Sequence, residues 1–421
     1  MNKEKTTYFP NLNDIKLAAD TIKNVSAVTP LYPSVRYSNT HQAHVFFKRE
    51  DLQQVRSYKI RGAYNKISTL SKEESKNGVV CASAGNHAQG VALSCKLLKI
   101  NGTIFMPAPT PNQKVEQVKM FGGEYVSIVL KGDTFDDAYH LAITECKLLN
   151  KTFIHPFNDK KVIEGQSTIA LEILEQTTKP IDYVFIAVGG GGLAAGLSTV
   201  FKTLSPNTKI IGVEPEGAPS MSVSIKNNKN TTLENIEKFV DGAAVKRVGD
   251  LTFPICKQNL DAMITVPEGK VCQTILDLYN RDAIVVEPAG ALSISALDFY
   301  ANEIKDKHVV CVVSGSNNDI TRTSEIKERA LLYANLKHYF IIKFPQRAGA
   351  LKEFVVDILG ENDDITYFQY AKKTNRENGS AVVGIQLKAS SNLEPLITKM
   401  KQHNFYGDYL NNKPDLFQFL V

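Results

Sequence analysis

The sequence has no paired cysteines, no block of like charge and no unbroken apolar run of membrane-spanning length, and each absence removes a class of protein. Cys81, Cys95, Cys146, Cys256, Cys272 and Cys311 stand far apart without a C-x-x-C pair, which excludes a disulfide framework and a thiolate metal site. Runs such as VVCAS and VVCVVS place several of them as buried free thiols, the usage of a reducing cytoplasm. The 49 Lys+Arg and 44 Asp+Glu leave a net charge of +5, scattered along the chain, so neither a nucleic-acid nor a membrane surface is expected. The longest uncharged stretch, Tyr183 to Phe201, is broken by four consecutive glycines, each costing roughly 1 kcal/mol inside a helix. The polar opening MNKEKTTYFPNLNDIK lacks a signal-peptide core, and a cytoplasmic location is expected. His87 and His155 have no metal-type partner at fixed spacing, so no metal site is expected and both read as packing or hydrogen-bonding groups.

A chain of 421 residues is too long for one ordinary domain. From about Val45 to Ser316, short β-branched runs alternate with amphipathic stretches of helical length: GVVCAS, GTIFMP, EYVSIVL, KTFIHPF, YVFIAVGGGG, KIIGVEP, AIVVEP and HVVCVVSGS. Runs apolar on both faces indicate parallel strands covered on both sides, an α/β layout of about eight strands. Glycine-bearing strand-to-helix turns at Gly85 and at Gly189 to Gly192 suggest two lobes facing one cleft, the smaller spanning roughly residues 50–155. After Ser316 a charged helix, TRTSEIKERALLYANL, leads into a differently built tail. There the order is strand (HYFIIKF), helix (AGALKEFVVDIL), strand (ITYFQYAKK), turn (NRENG), strand (SAVVGIQLK), helix (LEPLITKMKQH) and a last strand near FQFLV, a ferredoxin-like α+β pattern. The expected division is a catalytic domain over 1–330, a linker over 331–337 and a second domain over 338–421.

Four motifs carry chemistry. In SYKIRGA, Lys59 opens a helix, where a cation opposes the macrodipole by roughly 0.3–1 kcal/mol and a neutral or covalently occupied lysine loses less. A lysine of depressed pKa can form a Schiff base with an aldehyde cofactor; most lysines are merely solvated. SAGNHAQG follows the strand VVCA, and its Ser83, Ala84, Gly85, Asn86 and His87 turn presents N–H groups and hydroxyls suited to a carboxylate. Asn86 could equally be a simple N-cap. GGGGLAAG, with Gly189, Gly190, Gly191, Gly192 and Leu193 after the strand YVFIAV, suits a phosphate at a helix N-terminus. Gly190, Gly192 and Ala195 also satisfy the dinucleotide pattern G-x-G-x-x-A, and Glu214 ends the next strand where a ribose-binding acid belongs, so a nicotinamide-dependent dehydrogenase stays open on this stretch alone. Ser314 ends the strand HVVCVV and faces the same cleft, or else caps a turn.

Together KREDLQ, SYKIRGAYNK, SAGNHAQGVA, GGGGLAAG, VEPAGA and VVSGSN, in this order over some 260 residues, resemble the fold type II (tryptophan-synthase-like) pyridoxal-phosphate enzymes, and specifically the threonine dehydratases. The resemblance implies a two-lobed catalytic domain with pyridoxal 5'-phosphate on Lys59. It further implies Asn86 at the ring hydroxyl, Gly189 to Leu193 at the phosphate, Ser314 at the pyridine nitrogen and the Ser83 to His87 loop at the substrate carboxylate. A serine at the ring nitrogen cannot stabilise a full positive charge there, which favours elimination over reactions needing a long-lived carbanion. In the related serine racemases a second serine stands where this chain has Ala84, which implies dehydration without efficient racemisation. Their divalent-cation site is matched by Glu214 and Ala218 but not by Ser220. Smaller departures are Gln54, Tyr58 and Ser167. The tail resembles a single ACT-like regulatory domain, with FPQRAGALKEF at its first turn, and implies inhibition by isoleucine opposed by valine, in an enzyme of isoleucine biosynthesis that assembles as a homotetramer or homodimer.

The expected reaction is conversion of L-threonine to 2-oxobutanoate and ammonia. The alternatives are L-serine as substrate, a serine-racemase-type reaction on the same scaffold, and a non-catalytic amino-acid sensor using the tail.

Overall fold

The computed structural model describes residues 8–370 and 378–413. The chain divides into two compact units, Met1–Asp319 and Ile320–Val421. In the first, a six-stranded sheet runs in the order Leu31–Pro33, His44–Arg49, His308–Val313, Tyr183–Ala187, Lys209–Pro215, Ala262–Val266. A four-stranded sheet runs Val126–Leu130, Gly102–Met106, Val79–Ala82, Thr152–Phe153. Every pairing is parallel except that of the edge strand Leu31–Pro33, which lies antiparallel on His44–Arg49. Val79–Ala82, Gly102–Met106 and Tyr183–Ala187 are buried at every residue, as strands covered by helices on both faces must be.

Each sheet has its own core. Val184, Ile186, Val310 and Val312 of the large sheet pack with Ile163, Ile173, Leu197 and Phe201 from the helices Lys160–Gln176 and Gly192–Leu204. Val79, Cys81 and Ile104 of the small sheet pack with Ile60, Ile67, Val91 and Val118. The lobes are joined where the helices Lys59–Ser68 and Lys160–Gln176 cross. A Cβ on Gly165 would stand 2.6 Å from the Arg61 carbonyl oxygen, and one on Gly62 would stand 2.4 Å from Gln166 Nε2, so only glycine permits this approach. All six cysteines are free thiols. No helix among the described residues is long and apolar enough to cross a membrane.

One expected strand is not a strand. AIVVEP joins neither sheet: Ala283 is the left-handed C-cap of the helix Glu268–Asp282, Glu287 is extended, and the run ends at Pro288, the first residue of the helix Pro288–Ser295. Among the described residues its one anchor of ladder type is the Glu287 N–H donating to the Gly315 carbonyl at 3.2 Å, and Val285 lies 50% exposed, which a doubly covered strand would not allow. The run AMITV, not singled out in the sequence, forms an edge strand instead.

The second unit opens with the helix Thr323–Tyr333 and builds an antiparallel sheet in the order Asp364–Tyr370, Asn378–Gln386, Lys337–Pro345, Tyr406–Tyr409. With the helix Leu393–Gln402 on one side, this is the ferredoxin-like arrangement. Phe340, Ile342, Phe344, Phe354, Ile385, Met400 and Phe405 fill its core. The segment AGALKEFVVDIL departs from a regular helix: Ala350–Glu353 is α-helical, and Phe354–Ile358 widens into a π-turn. The last strand among the described residues is Tyr406–Tyr409; FQFLV and most of the turn NRENG lie outside them.

Candidate active site

Lys59 is the first residue of its helix and is placed by backbone contacts on both sides. The Tyr58 N–H donates to the Ser314 carbonyl at 3.2 Å, and the Ser316 N–H donates to the Arg56 carbonyl at 2.9 Å, so the lysine loop is stitched to the end of the strand His308–Val313. The Lys59 ammonium donates to the Pro156 carbonyl at 2.9 Å and lies 5.2 Å from the centre of the Tyr58 ring. Burial lowers its pKa to about 8, against the opposing pull of the Glu287 charge. Desolvation is the larger of these two influences.

Two residues on, Arg61 is fully buried and held by two carboxylates. It donates to Glu50 at 2.8 Å from both Nε and Nη2, and to Glu172 at 2.6 Å from Nη1 and 2.9 Å from Nη2. Thr168 Oγ1 and the Ala27 carbonyl take its other contacts. Lys48, also fully buried, balances the second negative charge through Glu172 at 2.5 Å. A buried network of this kind is tolerated only when every member is paired, and then it fixes geometry. The helix that carries Lys59 cannot rotate without breaking it.

The loop Ser83 to His87 follows the strand Val79–Ala82 and opens the helix Asn86–Leu98. Asn86 is not the N-cap. Gly85 occupies that position, and the Asn86 carboxamide spans two partners, donating from Nδ2 to Glu287 Oε1 at 2.6 Å and accepting at Oδ1 from Asn317 Nδ2 at 2.6 Å. Ser83 Oγ accepts from the Gly85 N–H at 3.2 Å, and a Cβ on Gly85 would meet nothing within 4 Å, so this turn borders open space next to Ala84. His87 is buried, with Nε2 2.8 Å from the Ile154 carbonyl. Burial and Lys59 push its pKa to about 3, so it is neutral and carries its proton on Nε2. His155 is neutral as well: burial takes it to about 4, and Nδ1 accepts from the Asn158 N–H at 2.9 Å.

Gly189 to Leu193 link the strand Tyr183–Ala187 to the helix Gly192–Leu204. Gly191 has φ +88°, and a Cβ on Gly190 would stand 2.2 Å from the Phe157 ring, so the turn takes glycine for two separate reasons. The Gly190 carbonyl is tied back by Thr252 Oγ1 at 2.6 Å and the Gly249 N–H at 3.1 Å. The backbone N–H groups of Gly189 to Leu193 make no hydrogen bond to protein among the described residues. A run of unpaired, largely buried N–H groups at a helix N-terminus fits a phosphate dianion. Ser314 is 3% exposed, and its hydroxyl has no protein partner among the described residues, which fits a ring nitrogen. The segment Ile154–Asn158 brings these parts together, since Pro156 takes the lysine and Phe157 packs on the glycines.

Glu214 is committed to a neighbouring helix. Its carboxylate caps the helix Ser220–Lys226 through the Met221 and Ser222 N–H groups at 2.6 and 2.9 Å and the Ser222 hydroxyl at 2.7 Å, and burial raises its pKa to about 7. The hydroxyl of Ser220 donates to the Val245 carbonyl. Among the described residues no group of three or more His, Cys, Asp or Glu side chains is placed to hold a metal. Two features escaped the sequence reading: the Lys48–Glu50–Arg61–Glu172 network and Glu287. Glu172 and Glu287 left a signal, as charged residues embedded in the apolar runs IALEILE and AIVVEPAGA.

A depressed lysine, a glycine cradle with free N–H groups and an unpartnered strand-end serine define the site of a pyridoxal-phosphate-dependent enzyme. A family model described as pyridoxal-phosphate dependent enzyme matches residues 22–315, and one described as the C-terminal regulatory domain of threonine dehydratase matches residues 328–420. The chain belongs to the biosynthetic threonine dehydratase family. It is 54% identical over 411 residues to the "L-threonine dehydratase biosynthetic IlvA" of Halalkalibacterium halodurans, covering 97% of this chain and 99% of that protein. It is 53% identical over 404 residues to the protein of the same description in Bacillus subtilis, covering 96% of each. Among solved structures, threonine deaminase isoform 2 from Solanum lycopersicum superposes with a TM-score of 0.72 at 39% identity, covering 77% of this chain and 96% of that one. A maize serine racemase superposes with a TM-score of 0.71 at 31% identity, covering 77% of this chain and 99% of that one.

Proposed function

We propose that this chain dehydrates and deaminates L-threonine to 2-oxobutanoate and ammonia, under control of its C-terminal unit. The observation that carries the reading is the convergence on one cleft of Lys59, the Gly189 to Leu193 cradle and Ser314. Pyridoxal phosphate, when bound, supplies the electron sink that makes the substrate α-hydrogen acidic. Lys59 would anchor the cofactor, and its Nζ would take up the substrate α-proton; its low pKa keeps a useful fraction neutral near physiological pH. Gly189, Gly190, Gly191, Gly192 and Leu193 hold the phosphate through backbone N–H groups. Asn86 takes the ring hydroxyl. Ser314 takes the ring nitrogen with a neutral hydroxyl, which fits β-elimination. The turn from Ser83 through Ala84, Gly85 and Asn86 to His87 orients the substrate carboxylate. Since His87 is neutral, that work falls to N–H groups and the Ser83 hydroxyl.

L-Serine, one carbon shorter, fits the same chemistry. Ala84 carries no proton for the opposite face of the α-carbon, which disfavours racemisation. The proposed division is a catalytic part that ends near Asp319 and a regulatory part that takes in the helix Thr323–Tyr333, so the boundary falls before the 330 expected from the sequence. In the second unit, a groove of about 780 Å³ is lined by Phe344 to Lys352 with Val355, Val356, Phe368 and Tyr370. Its mixture of loop backbone and apolar side chains suits a branched aliphatic amino acid, supporting isoleucine and valine as effectors. The exposed Leu351, Val355, Val356 and Phe368 support pairing of this unit between copies, in a homodimer or homotetramer. The cysteines, all free, suit the cytoplasm.

A steady-state assay of 2-oxobutanoate release from threonine, with and without isoleucine and beside a D-serine assay, tests the reading. Release from threonine that isoleucine suppresses is expected. D-Serine formation without 2-oxobutanoate contradicts it.

A further inference from the structure

We propose that Glu287 is a positioning residue that acts on the cofactor through Asn86, holding one N–H of that carboxamide on its own carboxylate so that the other is aimed at the ring hydroxyl. Glu287 lies outside every role assigned above, although it stands in the VEPAGA run. The segment before Pro288 is what delivers it: the Glu287 N–H donates to the Gly315 carbonyl, and the carboxylate stands against the backbone just past Ser314. Gly315 makes the room, since a Cβ there would stand 2.4 Å from Glu287 Oε1 and 3.2 Å from Asn86 Nδ2.

A carboxamide is nearly symmetric in shape, so its partners decide which end faces which way. Asn317 Nδ2 donates to the Val55 carbonyl at 2.9 Å and to Asn86 Oδ1 at 2.6 Å, which uses both of its hydrogens. Asn317 therefore meets Asn86 only as a donor and fixes the oxygen end. Glu287, when ionised, is acceptor-only and fixes the nitrogen end at 2.6 Å. One Nδ2 hydrogen remains, and it is the one the ring hydroxyl needs. A protonated Glu287 could donate as well as accept, and the specification would weaken.

The groups facing Glu287 bear on its charge. Burial and Asp241 push its pKa up, to about 7, against Asn86, Lys114 and the Asn317 N–H; Lys114 is itself paired with Asp241 at 2.8 Å. Lys59 and Tyr58 feel the Glu287 charge from the start of their helix. A negative charge in this place favours the protonated form of nearby nitrogen bases.

The inference rests on the assignment of Asn86 to the ring hydroxyl and is tested on holoenzyme reconstituted with pyridoxal phosphate. Its visible absorption is followed against pH, and cofactor retention is measured on dialysis, for the parent, Glu287→Gln and Glu287→Asp. In Glu287→Gln the midpoint of the spectral titration should fall by about one pH unit and the cofactor should leave several-fold faster. In Glu287→Asp, which keeps the charge, the midpoint should return most of the way. A Glu287→Gln midpoint that stays or rises, with the parent's retention, overturns the inference. If Glu287→Gln does not fold, Asn317→Ala decides: it frees the Asn86 oxygen end and should speed cofactor loss several-fold, and unchanged retention overturns the proposal. A parent protein that takes up pyridoxal phosphate without a visible band tied to Lys59 would instead sink the site assignment itself.

Discussion

The active site and the groove of the second unit are built on opposite principles. Around Lys59 the framework side chains are tied down: Arg61 spends its donors on Glu50, Glu172, Thr168 and Ala27, and Asn86 is held at both ends, while the groups suited to the cofactor are left without a protein partner. Around the groove, Leu351, Val355, Val356, Phe368 and Tyr370 are exposed, and the helix beneath them loosens into a π-turn. Catalysis needs atoms fixed before the substrate arrives, whereas an effector site must be able to change when its ligand binds. Glycine marks the same contrast. At Gly190 it is required because Phe157 leaves no room, while at Gly349 nothing lies within 4 Å of a Cβ and only φ +85° calls for it.

The comparison can be broken most sharply at the lysine. Lys59→Ala should abolish 2-oxobutanoate formation while leaving the fold intact, and an assay beside a circular dichroism melt checks both halves. Next in size, Arg61→Leu leaves the buried Glu50 and the partly buried Glu172 with Lys48 as their one remaining cation and should cost about 3–5 kcal/mol in denaturant unfolding. Gly190→Ala should weaken cofactor binding at least tenfold by a fluorescence titration, because the Phe157 ring must move. Gly349→Ala, in contrast, should cost only about 1 kcal/mol of stability, measured by the same unfolding method, and leave cofactor affinity alone.

Proton inventory gives a further test. Only neutral Lys59 can attack the cofactor aldehyde, and its pKa is lowered to about 8. In the cofactor-free protein the rate of yellow-band formation should therefore rise about tenfold per pH unit below pH 8 and level off above it, as stopped-flow absorbance would show. A plateau only above pH 10 means that burial does not depress this lysine.

Much of this was legible in the sequence because it depends on local pattern. Lys59 at a helix start, the strand before the glycine turn and the strand before Ser314 follow from periodicity and turn residues within a dozen positions. The alternation of doubly apolar runs with helices likewise read as the parallel sheets that form. What failed to show depends on distant partners. AIVVEP has the composition of a strand, yet strand pairing needs a neighbour, and here the neighbouring position past Gly315 is met by one bond alone. Asn86 looked like a possible N-cap because its carboxamide could serve the backbone, but residues 200 positions away in the chain claim it instead. Glu214 fitted a dinucleotide pattern by spacing, and only its bonds to Met221 and Ser222 show that it caps a helix.

The most direct test of the account is borohydride reduction of the yellow holoenzyme followed by peptide mapping. The account predicts bleaching of the visible band and a single phosphopyridoxyl adduct on Lys59; an adduct on another lysine, or a colourless protein that forms none, contradicts it.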